Sequence, residues 1–220
     1  MGLHAAVGGS IIWQVEINEY ARSILEKRFP SANRDVSDIC HASAKNLEPV
    51  DLICAGFPCQ GISVAGKRSG LEDSRSCLWF ELLRVCGEIR PRFIVLENSP
   101  AIRTNGLRTV LQGLASLGYD AVWGNFTAAS VGAPHRRNRW YCIAYLPDPH
   151  SPRKLQQKRS IEVERRWSGD RTGWSTEPGV CGVAYGIPNR MDRLRCLGNA
   201  VVPEWARWVG SIVGELGGWS

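Results

Sequence analysis

Residues of three types in this 220-residue chain, gathered in one place, could carry out covalent chemistry: Cys59, Glu97 and the arginines of "HRRNR" (135–139). Cys59 stands in Pro58-Cys59-Gln60, after the apolar run "VDLICAGF" (50–57) and before the loop "QGISVAGKRSGLEDSR". A thiol held by a rigid proline just past a strand lies where the active sites of open α/β sheets collect. Glu97-Asn98 ends the run "FIVLEN" (93–98), and "HRRNR" (135–139) leads into "WYCIAYL" (140–146). Singly, each has a plain structural role: a core cysteine, a strand-end glutamate, a solvated arginine face. Together they describe a nucleophile, a proton donor and an oxygen clamp.

The elements that must position these groups are legible as alternating patterns. Continuous apolar runs at 11–17, 50–57, 93–98 and 140–146 read as strands buried on both faces of a mostly parallel sheet. Helical spacing marks 19–29, which follows Asn18 as N-cap, then 74–90, which stops at Pro91, and 106–120, with Gly118 near its end. Strand–helix alternation of this kind predicts a doubly wound α/β fold. Residues 147–186 are polar and punctuated by proline and glycine, and read as a small irregular insertion. The domain reading is therefore a core over 1–146, the insertion over 147–186, and a returning segment over 187–220. That segment ends in a helix with Pro203 in its first turn and an apolar face of Trp205, Trp208, Val209, Ile212 and Val213.

Composition narrows the setting. No apolar run approaches the roughly eighteen residues of a membrane span, and "MGLHAAVGG" lacks the basic start and apolar core of a secretory signal. A cytoplasmic location is expected. Eight cysteines without a CxxC pair argue against disulfides and a structural metal, and the plain expectation for seven of them is a buried, reduced thiol. The net charge of +6, with basic clusters at 135–139 and 153–167, favours a polyanionic partner.

At this point the chain resembles a known family, the bacterial and bacteriophage DNA cytosine-5 methyltransferases. "GFPCQGIS" resembles the family's nucleophile motif, "LEN" its glutamate motif and "GLEDSRSCLWFE" the segment between them. "GAPHRRNRWYCIA" resembles its paired-arginine motif and "RLRCLGNAVVP" its C-terminal cofactor motif. The resemblance runs in family order from about residue 2 to about residue 213. It implies a Rossmann-like methyltransferase fold, S-adenosyl-L-methionine as cofactor, and methyl transfer to carbon 5 of cytosine in DNA. It also implies the division of labour: Cys59 adds to ring carbon 6, Glu97 protonates ring nitrogen 3, Arg137 grips the 2-oxygen, and Arg139 orients Cys59 and its loop.

Further roles follow from the same resemblance. Glu16 would bond the cofactor's ribose with Ile17 beside it, and an acid at a strand end fits that task independently. Asp38 and Ile39 would address the adenine, Leu78 and Pro58 would line the pocket, and Asn199 and Ala200 would close it. Gln60, Ser63, Lys67, Arg68 and Arg75 would contact DNA as the loop closes over a flipped cytosine. The expected partner is double-stranded DNA, with no metal and no membrane, and the expected state a monomer within a restriction-modification or phage setting. The alternatives are a tRNA cytosine methyltransferase and a catalytically weak DNA-binding remnant. In two places the chain departs from the family pattern: Ser99 where valine is usual and His135 where glutamine is usual. The family's opening strand and glycine-rich turn have no counterpart before "IIWQVE", so the sheet is expected to lack its first strand and cofactor binding to be weak.

Overall fold

The computed structural model describes residues 2–58, 77–131, 133, 135–147, 188–199 and 201–218. In chain order the elements are α1 (Gly2–Val7), α2 (Glu19–Arg28), β1 (Leu52–Gly56), α3 (Cys77–Ile89), β2 (Phe93–Asn98), α4 (Ile102–Asn105), α5 (Leu107–Ser116), β3 (Asp120–Thr127), β4 (Asn138–Tyr145), α6 (Arg190–Asn199) and α7 (Pro203–Gly217). Short 3-10 turns lie at Ile39–His41 and Ala128–Val131. The chain divides into two compact units, one drawing on residues 1–37, 128–136 and 168–220, the other on 38–127 and 137–167.

In the first unit, α2 starts as the sequence predicts: Asn18 Oδ1 accepts from the Ala21 amide at 2.9 Å. The strand expected over 11–17 is not there. Among the described residues this segment makes one parallel bridge, Trp13 with Asn33. Its backbone bonds are Gln14 N to Asn33 O (2.9 Å) and Asn33 N to Ile12 O (2.8 Å). Residues 11–16 are half-buried and Ile17 is 68 % exposed. An apolar run becomes a strand only where a neighbour pairs its backbone groups along its length, and one bridge does not do that. Arg34 holds the segment by its polar atoms instead, donating to Gln14 Oε1 at 2.8 Å and to the Leu25, Phe29 and Ala32 carbonyls near the end of α2. The predicted C-terminal helix forms with Pro203 in its first turn and packs along α1. Trp205, Val209 and Val213 are buried, while Trp208 and Ile212 are half-buried.

The second unit is a four-stranded sheet in the order β1-β2-β4-β3. β1 and β2 run parallel, with Gly56 opposite Glu97. β4 is antiparallel to both β2 and β3, with Tyr141 opposite Glu97 and Gly124. The sheet is therefore mixed, and the expectation of a mostly parallel sheet is corrected in two of its three pairings. Continuous hydrophobicity reports burial of β2 and β4, but burial does not encode direction. β1 is also less covered than expected, with Cys54 and Gly56 exposed. β3 carries no apolar run and the sequence reading passed over it; its place beside β4 makes it a strand.

The core of this unit joins Ile94, Val95 and Leu96 of β2 with Trp140, Cys142 and Ala144 of β4, and adds Trp79 and Val85 of α3 and Val110 and Leu114 of α5. Helix α5 stops where Gly118, at φ +81°, takes the left-handed conformation expected of a C-terminal glycine. The next residue, Tyr119, donates its hydroxyl to the Pro91 carbonyl at 2.6 Å. Cys86 and Cys142 are buried as expected, and burial pushes both thiols up to about 12, which keeps them inert. Cys40, on a 3-10 turn, and Cys54, on β1, depart from that expectation in being exposed, although the surrounding protein still pushes the Cys54 thiol up to about 11. No helix among the described residues is long and apolar enough to cross a membrane.

Candidate active site

The antiparallel β4 has a direct consequence for chemistry. Arg137 lies just before β4 and Arg139 is its second residue, so a parallel strand would carry them to the sheet edge opposite Glu97. Running antiparallel, β4 begins where β2 ends. Arg139 then lies on the same face as Glu97, two residues before Tyr141 on β4 and so on the same side of the strand. Its Nε meets Glu97 Oε1 at 2.9 Å, with side chains 21 % and 16 % exposed. Arg139 Nη1 also donates to the Asn138 carbonyl at 2.9 Å.

The electrostatics of the trio oppose one another. Burial raises the Glu97 carboxyl above its ordinary value, against the pull of Arg139 first and Arg137 second. Burial and the like charge of Arg139 lower the Arg137 guanidinium. A carboxyl that desolvation pushes toward its protonated form, while two cations stand ready for its anion, suits proton transfer. Tyr141, 4 % exposed and packed at 6.0 Å from the Phe126 ring, stands in register with Glu97; burial, then Glu97, hold its phenol protonated well above the usual range.

Asn98, which sequence reasoning gave no role, connects this strand end to the next. It is 5 % exposed, its Nδ2 donates to the Phe57 carbonyl at 2.8 Å, and its Oδ1 accepts from the Ser99 amide at 2.8 Å. The last contact uses Ser99's backbone, so the serine departure leaves the motif's geometry intact. From the other side Trp79 lies against the Phe57 ring at 5.1 Å. Phe57 is thus fixed by its carbonyl and by its ring, immediately before Pro58. Asn98 adjoins Glu97 in the "LEN" motif, and that adjacency was the only signal available.

A second missed residue, Arg84, braces the turn where the sequence reading placed adenine recognition. Its Nη2 donates to the Ala42 carbonyl at 2.8 Å and the Ile39 carbonyl at 3.4 Å, while Nε and Nη1 engage Glu81 and Glu88 at 2.8 and 2.7 Å. Glu88 Oε2 in turn accepts from the Ala44 amide at 3.0 Å. On that turn Asp38 Oδ1 caps Cys40 N at 2.9 Å, a bond that holds its carboxyl below the ordinary carboxylate value.

The remaining predicted residues are distributed as follows. Glu16 Oε1 accepts from the Asn18 amide at 2.8 Å, just before α2. Leu78 is half-buried in the first turn of α3, Pro58 is exposed beyond β1, and Asn199 is exposed at the end of α6. Cys59, Gln60, Ser63, Lys67, Arg68, Arg75, Ala200 and the 147–186 insertion apart from Pro147 lie outside the described residues.

The chain is 32 % identical over 197 residues to the type II methyltransferase M.CviJI of Paramecium bursaria Chlorella virus IL3A, covering 88 % of this chain and 51 % of that protein. It is 32 % identical over 145 residues to M.HhaI of Haemophilus parahaemolyticus, covering 64 % and 44 %. The chain thus spans about half the length of these curated relatives. Its fold matches that of Spodoptera frugiperda DNMT2 with a TM-score of 0.56 at 24 % identity, over 70 % of this chain and 49 % of the other. Residues 1–173 match the model of the C-5 cytosine-specific DNA methylases, and the chain belongs to that family.

Proposed function

We propose that this chain carries out methyl transfer from S-adenosyl-L-methionine to carbon 5 of cytosine in double-stranded DNA, through a covalent adduct at Cys59. The observation that most supports this reading is the half-buried Glu97–Arg139 pair at the end of β2, level with the end of the strand that runs into Pro58-Cys59. Cytosine is too weak a nucleophile at carbon 5 to react unaided. The Cys59 thiolate would add to ring carbon 6, the carbon–sulfur bond forming as the C5–C6 π pair shifts into the ring. Glu97 would give its proton to ring nitrogen 3 as that shift occurs, and Arg139 and Arg137 would stabilise the carboxylate left behind. S-Adenosyl-L-methionine would supply the methyl group, as an electrophilic sulfonium, to the activated carbon 5. Loss of the carbon-5 proton, departure of the sulfur and return of the nitrogen-3 proton to Glu97 would then restore the ring.

The donor set in the second unit fits that cofactor. Asp38 stays ionised under its Cys40 cap and offers an acceptor to an exocyclic amine, and Ile39 adds backbone groups on the braced turn. The test is transfer of a labelled methyl group to double-stranded DNA and, in parallel, to tRNA. Label in cytosine of DNA is the expected result. Label in tRNA alone would replace this reading with its RNA counterpart, and label in neither would remove it.

A further inference from the structure

We infer that Gly56 is a positioning residue: its missing side chain is the opening through which a pyrimidine ring reaches Glu97, and Oε2 is the oxygen that gives up the proton. This rests on the function proposed above and names the geometry of its proton transfer.

The Glu97 carboxyl is enclosed on most sides. Arg139 Nε occupies Oε1 at 2.9 Å, and Tyr141 stands in register on the β4 side, itself buried. On the β1 side the residue in register is Gly56, which is exposed. A Cβ placed on Gly56 would lie 3.4 Å from Glu97 Oε2 and 3.9 Å from the Glu97 carbonyl oxygen, and would meet nothing else within 4 Å among the described residues. The neighbour without a side chain is therefore the one beside Oε2.

This arrangement distinguishes the two oxygens. Arg139 is a permanent donor, so Oε1 must remain an acceptor and the proton of the neutral acid belongs on Oε2. When it moves, the Oε2–H bond breaks and its electron pair stays on Oε2. The lone pair of the ring nitrogen forms the new N–H bond, and the carboxylate's charge is met by Arg139. A ring nitrogen must come within about 2.8 Å of Oε2 to take that proton. A methyl group at position 56 would make ordinary contact with the carboxyl, so it need not disturb the fold, but it would occupy the space the ring edge needs.

The experiment compares wild type, Gly56→Ala and Gly124→Ala. Gly124 lies on the same sheet face, but its added methyl would meet the Phe126 ring, at 3.1 Å, instead of Glu97. Carbon-13 NMR follows the Glu97 carboxyl through a pH titration, and DNA containing 5-fluorocytosine measures the rate of covalent trapping. Gly56→Ala is expected to move the Glu97 midpoint upward, because the methyl takes water from Oε2, and to slow trapping at least tenfold with DNA affinity unchanged. Gly124→Ala is expected to do neither. A Glu97 midpoint unmoved in Gly56→Ala, or trapping as fast as wild type, overturns the inference. So does a Gly56→Ala protein that fails to fold by circular dichroism, since that denies the open space. If wild type itself is not trapped, the proposed function falls, and the titration alone still decides the role of Gly56.

Discussion

Asn98 Nδ2 holds the Phe57 carbonyl at 2.8 Å, so the residue after Glu97 on β2 fixes the residue before Pro58 at the end of β1. One buried amide thereby couples the strand of Glu97, the proposed proton donor, to the segment that ends at Pro58. Asn98→Ala should cost about 2 kcal/mol in urea denaturation, the usual penalty for leaving a carbonyl unpaired as its partner is removed. It should also slow trapping by 5-fluorocytosine DNA at least tenfold, because the turn before Cys59 loses its anchor. A variant destabilised to that degree yet trapped at the wild-type rate would show that Asn98 serves the fold alone.

The raised Glu97 carboxyl makes a signed prediction for stability. A carboxyl whose folded value exceeds its unfolded value contributes stability that is complete below the ordinary carboxylate value and is lost as pH rises through the folded value. Glu97→Gln removes that titration. Wild type should therefore gain stability relative to Glu97→Gln as pH falls through the window between the raised value and the ordinary one, and the gap should be flat above it. Thermal unfolding of both proteins across that range checks the sign; a gap that moves the other way would mean that Arg139 outweighs burial.

Arg84 is predicted to matter through the turn it braces. Arg84→Ala removes the side-chain donor of the Ile39 and Ala42 carbonyls and should weaken S-adenosyl-L-methionine binding five- to tenfold by calorimetry. The Glu97 titration should stay where it was, because among the described residues the groups that shift it are Arg139 and Arg137 and not Arg84. Arg84→Lys, which keeps one donor but not the fork, should recover only part of the affinity.

How far the sequence reached is clearest at Glu97 and Arg139. Residue types and motif order placed both in the site, and the structure brings them to 2.9 Å. The direction of β4, which makes that contact possible, could not be read, since an apolar run looks the same whichever way it points. The 11–17 run misled for a related reason: its residues carry strand propensity, but a strand is a property of a pair. β3 was missed because Gly124 and Asn125 interrupt its apolar pattern. Asn98 and Arg84 were invisible as anchors because their partners are backbone carbonyls 41 and 42 residues away.

The insertion supports a prediction drawn from sequence alone. Lys154, Lys158, Arg159, Arg165 and Arg166 are proposed to contact phosphates, so DNA binding should fall steeply between low and physiological salt. The insertion is short, and bisulfite sequencing of methylated DNA should return a recognition site of only a few base pairs. Six or more fixed bases, or unchanged binding after charge reversal at these positions, would contradict that role.

The central claim is that Cys59 is the nucleophile beside Glu97, and covalent capture tests it most directly. The chain is incubated with S-adenosyl-L-methionine and double-stranded DNA carrying 5-fluorocytosine, whose fluorine blocks proton loss after methyl transfer, and the adduct is mapped by peptide mass spectrometry. The account predicts one adduct, on Cys59, abolished by Cys59→Ala and at least a hundredfold slower in Glu97→Gln, because an amide cannot deliver the proton. An adduct on Cys54 or Cys77, or one that survives Cys59→Ala, would contradict it.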